Sequence, residues 1–216
     1  MTHATAMAPG AAAWEELRMR IGSLVMERRC LPETLDGLTP DMGLGAFGHY
    51  APGSAARQHA ALCRVASLPD GHVTAAFTPG KLLVGFVTFH PPGPDDRWTE
   101  AGPEGIIELG GIEVARAWRG LGQARRLLRF AMADPAMDDL IVYATGYTWC
   151  WDLGGTDLTR TEYRDRIVAL FKGCGFELYL TNEPNIWMDR ANVLMVRVGG
   201  RVSPERFARF HALLVT

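Results

Sequence analysis

Apolar residues along this chain recur with two periods, one near 3.6 and one of two, and the switches between them mark out elements. Residues 21–30 satisfy neither period cleanly. Pro32-Glu33 then opens a short helix, with proline where its missing N–H costs nothing. Residues 43–53 form a loop rich in glycine and aromatics. Ala55, His59, Leu62, Cys63 and Ala66 share a helical face that stops at Pro69-Asp70-Gly71. Two β-rich runs follow, 72–77 and 81–89, joined by Thr78-Pro79-Gly80 as a hairpin. The Pro/Gly-rich stretch 91–105 reads as a loop and carries Arg97-Trp98. Beyond it come a strand over 106–114, a helix over 121–133, a break at Pro135 and a strand over 140–145. The spacing of Tyr163, Ile167, Leu170 and Phe171 predicts a helix over 159–172. Gly175-Phe176 starts another strand, 192–198 is the last, and Ser203-Pro204 caps a C-terminal helix with Phe207, Phe210 and Leu214 inward. Helices alternate with strands that include hairpin pairs. The expected fold is therefore mixed α/β: a central mixed sheet of about seven strands with helices on both faces, not a doubly wound parallel sheet.

Length and composition narrow this reading. A chain of 216 residues suits one domain with a sizeable core, assigned here to 14–216 behind a disordered Ala/Thr/Met-rich leader over 1–13. A net charge of −2 argues against nucleic acid or an anionic membrane surface as the main partner. No run approaches 18 consecutive apolar residues and no secretory signal is evident. Cys30, Cys63, Cys150 and Cys174 lack C-x-x-C spacing, which favours a reducing, cytoplasmic setting. The scattered histidines predict no metal site.

Arg119-Gly-Leu-Gly-Gln-Ala-Arg-Arg-Leu-Leu128 changes the picture most. It follows the strand directly and reads as a glycine turn opening a helix. Free N–H groups at such a helix start, with the positive end of the helix dipole, suit a pyrophosphate. The P-loop is excluded because its Gly-Lys-Ser/Thr ending is missing, and G-x-G-x-x-G does not occur. Arg116, Arg119, Arg125, Arg126 and Arg129 crowd the same region, so a polyanion fits there without a basic protein overall. Gly110-Gly111 in mid-strand points to a β-bulge, because paired glycines weaken a regular strand. One extra residue reverses side-chain parity, so Glu108 and Glu113 would share a face. A carboxylate in an apolar strand has a raised pKa and is a better base near neutrality.

The turn Arg119-x-x-Gly122-x-Ala124, with Val114 at the strand end and Trp118 before the arginine, resembles the acetyl-CoA signature of the GNAT N-acetyltransferases. That resemblance implies a GNAT fold, here with an extra C-terminal helix, and acetyl-CoA as co-substrate. It implies cofactor contacts at Ile112, Glu113, Val114, Arg119, Gly120, Leu121, Gly122, Gln123 and Ala124, with the N–H groups of Ile112 and Val114 serving pantetheine and oxyanion. Glu108, eleven residues before Arg119, stands where several protein-lysine acetyltransferases of the superfamily carry their base; Glu113 is the alternative. Many members carry a tyrosine general acid where this chain has Phe171, which leaves Tyr147 or Tyr163 for that role, or an unprotonated thiolate. Arg116 replaces a common proline.

A closer resemblance, to the bacterial acetoin-utilisation protein acetyltransferases, covers about 22–213. It is carried by Arg97-Trp98-x-Glu100, Ile107-Glu-Leu-Gly-x-Ile-Glu-Val114, Trp149-x-Trp151-Asp-Leu153, Glu162-Tyr-Arg164, Glu183-Pro-x-Ile186, Ala191-Asn-x-Leu-Met195 and Val202-Ser203. It implies acetylation of a lysine on acetyl-CoA synthetase, which switches that enzyme off. Segments 146–158 and 182–190, bearing Trp149, Trp151 and Trp187, are the expected protein contact, with packing of the rings into the core as the equal alternative. A small-amine acetyltransferase and a non-catalytic acetyl-CoA-binding regulator are the alternatives. The target lysine and the oligomeric state are not written in the sequence.

Overall fold

The computed structural model describes residues 22–215 except 103 and 121, so the 1–13 leader and Leu121 lie outside the described residues. Among these, eight strands form one sheet: β1 (Val25–Glu27), β2 (Thr39–Pro40), β3 (His72–Phe77), β4 (Leu82–His90), β5 (Ile106–Val114), β6 (Ile141–Gly146), β7 (Glu177–Tyr179) and β8 (Val193–Val198). Their order is β1-β3-β4-β5-β6-β8-β7, with β2 paired to β4. β5–β6 and β2–β4 are parallel and every other pair is antiparallel. The eighth strand is β2, two residues long and too short to show a period.

The helices are α1 (Pro32–Asp36), α2 (Ser54–Ala66), α3 (Gln123–Met132), α4 (Arg160–Lys172), α5 (Pro184–Trp187) and α6 (Pro204–Ala212). α3 begins at Gln123, two residues later than its apolar period suggests, because Gly122 is its left-handed N-cap. A complete capping box, Thr159 with Glu162, starts α4. Gly85 on β4 faces the Leu127 side chain, which places α3 on that face of the sheet. Leu127, Leu128, Ala131 and Met132 are buried there. Each leucine contributes roughly 1.5–3 kcal/mol relative to an exposed one. Phe171 and Phe176 join that core edge-to-face, 5.0 Å apart. On the opposite face, beneath α6, Trp98, Tyr143, Leu194 and Phe210 build a second core. No helix of the described residues is long and apolar enough to cross a membrane.

Two irregularities position the site. β5 pairs with β6 only over Ile106–Glu108, so from Leu109 onward the two halves of the sheet part. In the β4–β5 ladder Thr88 pairs with Gly111 and Phe89 with Leu109, which leaves Gly110 as the extra residue of a bulge.

Candidate active site

The bulge sets the direction of both glutamates. Glu108 pairs with His90 and Glu113 with Phe86, and those two partners are four apart on an uninterrupted β4, so both carboxylates lie on one face. At the far end of the pairing, Ala115 N–H donates to the Val84 carbonyl at 2.8 Å. Alternation then turns the N–H groups of Glu113 and Gly111 toward β4 and those of Ile112 and Val114 into the gap facing β6. Both point into the opening between the parted strands, away from the β4–β5 ladder.

Glu108 stands where the gap opens. Its carboxylate accepts from Tyr143 Oη at 3.2 Å and Thr145 Oγ1 at 3.4 Å. It lines a cavity of about 480 Å³ with Asp95, Asp96, Tyr147 and Glu183. Burial pushes the Glu108 carboxyl above the ordinary range; nearby His90 opposes that rise and Asp96 adds to it. Tyr147 lines the same cavity, stacked on Trp149 at 4.5 Å, and burial lifts its hydroxyl to about 12.

Glu113 has a different environment. Its oxygens accept from Gly45 N–H at 3.0 and 3.2 Å, from Ala46 N–H at 3.0 Å and from Tyr50 Oη at 3.2 Å. Burial raises its pKa, opposed by those donors. Its bonds hold residues 45–50, where Gly45, His49 and Tyr50 all adopt positive φ. Tyr50 Oη in turn accepts from Arg119 Nη2 at 2.6 Å, and the Arg116 guanidinium lies 3.6 Å over the Tyr50 ring. Both arginines converge on buried Asp152: Arg116 at 2.9 and 2.5 Å, Arg119 at 2.6 Å. Burial alone would raise the Asp152 carboxyl, yet the two guanidiniums hold it well below the usual carboxylate range.

This arrangement refines the sequence reading of the arginines. The side chain of Arg119 is committed to Asp152, Tyr50 and the Val114 carbonyl (Nε at 2.8 Å), and Arg116 to Asp152. Both brace the turn, with Asp152 as their shared carboxylate. Arg125 and Arg126 are exposed beside it.

The turn itself fits an anion. Gly120 and Gly122 adopt φ of +96° and +72°. A Cβ at Gly122 would meet nothing within 4 Å. Left-handed backbone is therefore what requires glycine there, and open space lies beyond it. The first helical bond runs from Arg126 N–H to the Gly122 carbonyl, no side chain caps the helix, and its first turn holds no acid. That leaves the N–H groups of Gln123, Ala124 and Arg125 without helical partners. Buried Gln123 Oε1 also has no partner among the described residues. A ligand carrying both a pyrophosphate and amide donors, as acetyl-CoA does, matches this set.

The remaining expectations separate. Tyr163 stacks on Trp151 at 5.3 Å and faces the Asp152 backbone and Arg119, away from the Glu108 cavity. Phe171 is buried in the core. Trp151, expected to anchor a partner, is only 8% exposed, because it packs on Tyr163 behind the Asp152 cluster. Trp149 and Trp187 are 48% and 78% exposed. The sequence reading missed His90, Tyr50 and Asp152. Only Asp152 lay in a quoted motif, and nothing in its spacing marked an ion pair.

Residues 46–176 match the sequence model of the acetyltransferase (GNAT) family. The acetoin utilization proteins AcuA of Bacillus licheniformis and Bacillus subtilis are 37% and 38% identical to this chain, over 92% and 91% of it and the same shares of their own lengths. A crystal structure of an acetoin utilization protein from Exiguobacterium sibiricum superposes with a TM-score of 0.82 at 36% identity, covering 89% of this chain and 88% of the other. The phosphinothricin acetyltransferase of Sinorhizobium meliloti, solved in complex with AcCoA, shares the fold at 14% identity and a TM-score of 0.53, over 84% of this chain and 91% of its own.

Proposed function

The chain belongs to the GNAT family of acetyltransferases, and from that premise we propose that it transfers the acetyl group of acetyl-CoA to a lysine amine of a protein in the cytoplasm, with Glu108 as proton acceptor. The observation that carries this reading is the Glu108 carboxylate, held among the described residues by two hydroxyls, in an acidic cavity where β5 leaves β6. When bound, acetyl-CoA supplies an activated acetyl carbonyl. The N–H groups of residues 123–125 hold its pyrophosphate, and those of Ile112 and Val114 line the arm and stabilise the oxyanion. A Glu108 oxygen takes the proton of the lysine ammonium, freeing the nitrogen lone pair for attack on the carbonyl carbon. As the carbon–sulfur bond breaks, Tyr147, protonated at neutral pH, donates toward the departing thiolate. Four free cysteines support the reducing compartment.

Acetyl-CoA synthetase is the protein we propose as acceptor, on the likeness to acetoin utilization proteins and on the surface around the cavity. Trp187 and Met188 are exposed beside Glu183–Asn185, and Trp149 is exposed against Tyr147. Exposed aromatics of this kind anchor partners. A small polyamine is the second reading, favoured by the carboxylates Asp95, Asp96, Glu108 and Glu183 around the cavity. Steady-state acetylation of intact acetyl-CoA synthetase, of a lysine peptide from it and of spermidine decides between them. The protein reading expects the intact synthetase to be used most efficiently and Trp187→Ala to raise its KM while acetyl-CoA binding holds. Higher efficiency on spermidine would transfer the assignment.

A further inference from the structure

Gly110 does not need glycine's dihedral freedom, since its φ lies outside the positive range. It needs the space. A Cβ at position 110 would collide with His90 Nε2 and lie 2.8 Å from Cδ2, so the imidazole lies directly over the bulge. His90 is also the cross-strand partner of Glu108, and such partners hold their Cβ atoms about 4.5–5.5 Å apart. Its Nδ1 sits 2.9 Å from the Pro91 carbonyl, which only accepts, so that nitrogen carries a proton. A neutral ring held this way presents a bare Nε2 at the bulge, beside the gap into which the Ile112 N–H points.

We propose that His90 is the positioning and proton-relay residue of Glu108, an inference that rests on the reading of Glu108 as base. The proton leaves the acceptor nitrogen for a Glu108 oxygen, forming an O–H bond. It then passes by way of solvent to His90 Nε2, which makes no direct hydrogen bond to the carboxylate among the described residues, restoring the carboxylate and leaving an imidazolium held by the Pro91 carbonyl and the Glu108 charge. Loss of the Nε2 proton to water resets the pair. The other ionisable groups facing this pair are Asp95, Asp96 and Arg97 from the loop after β4, Tyr143 from β6, Tyr147 beyond it and Glu183 before α5. Arg97 is tied to Asn182 at 2.6 Å, so its charge is turned toward the α6 end. Among these neighbours His90 is the one whose charge opposes protonation of Glu108.

His90→Asn keeps an N–H for the Pro91 carbonyl and removes the ring nitrogen that lies over the bulge. We expect kcat near pH 7 to fall about tenfold or more, with KM for acetyl-CoA within about twofold. The acid limb of kcat/KM should move to higher pH, because loss of the cation lets Glu108 hold its proton more tightly. Gly110→Ala, which must push the ring aside without removing it, should move the same limb in the same direction. As a readout apart from turnover, the carboxyl carbon resonance of Glu108 should titrate at higher pH in His90→Asn. Limbs and a Glu108 titration that superpose on those of the parent protein would overturn the relay. Full activity of Glu108→Gln would instead overturn the base assignment, a distinct result.

Discussion

Glu108 and Glu113 lie on one strand, face the same way across a bulge, and are both raised by burial, yet their surroundings fit opposite tasks. Glu113 has its oxygens filled by two backbone N–H groups and a tyrosine, and so fixes a loop of unfavourable dihedrals. Among the described residues, Glu108 accepts two long hydroxyl hydrogen bonds and faces an open cavity. The difference teaches that a raised pKa does not by itself mark a base. What matters is whether the carboxylate still has a lone pair available to an incoming proton.

The largest expected effect is on turnover. Glu108→Gln should lower kcat by ~10²–10⁴-fold near neutral pH, partly recovered at high pH as free amine accumulates. Glu113→Gln should keep kcat per folded molecule within a few-fold. Reversed results in steady-state assays would break the comparison. Stability should respond the other way. Glu113→Gln places an amide against two N–H donors and should cost about 1–3 kcal/mol in urea unfolding, whereas Glu108→Gln should cost little. Gly122→Val sharpens the contrast by isolating the co-substrate. Strained backbone at the start of α3 should weaken CoA binding tenfold, about 1.4 kcal/mol, in calorimetry, while the pH limb set by Glu108 stays in place.

The smallest effect concerns pH. The folded-state pKa of Glu108 lies above its unfolded value, so its contribution to stability is complete below the unfolded pKa and is lost as pH rises through the folded one. Glu108→Gln cannot ionise. Its Tm relative to the parent protein should therefore climb between acid and neutral pH, and a flat difference in thermal scans would contradict a Glu108 pKa raised by burial.

Most of the architecture was legible because it depends on local periodicity. Gly110-Gly111 announced a bulge and Glu108/Glu113 a shared face, since strand parity follows from counting residues. His90 was not legible, because its pairing with Glu108 depends on how two strands register across the intervening loop. Tyr50 was hidden for the same reason, reaching Glu113 across 63 residues. Arg119 shows the limit most clearly. Its spacing identified a helix start, but the partners of its guanidinium come from Tyr50 and Asp152, which no local pattern connects. Trp151 stayed open between core and anchor for a related reason: loop position says nothing of what packs upon the ring.

The bonds that meet around Asp152 join residues 33, 36 and 69 apart, whereas β3 and β4 are joined by a tight turn. Closing such loops carries an entropic penalty that a short turn escapes, though one that grows only slowly with length. Asp152 thereby ties three segments distant in sequence, the 45–50 loop, the turn before α3 and the loop after β6, into one unit, so that weakening it loosens all three together.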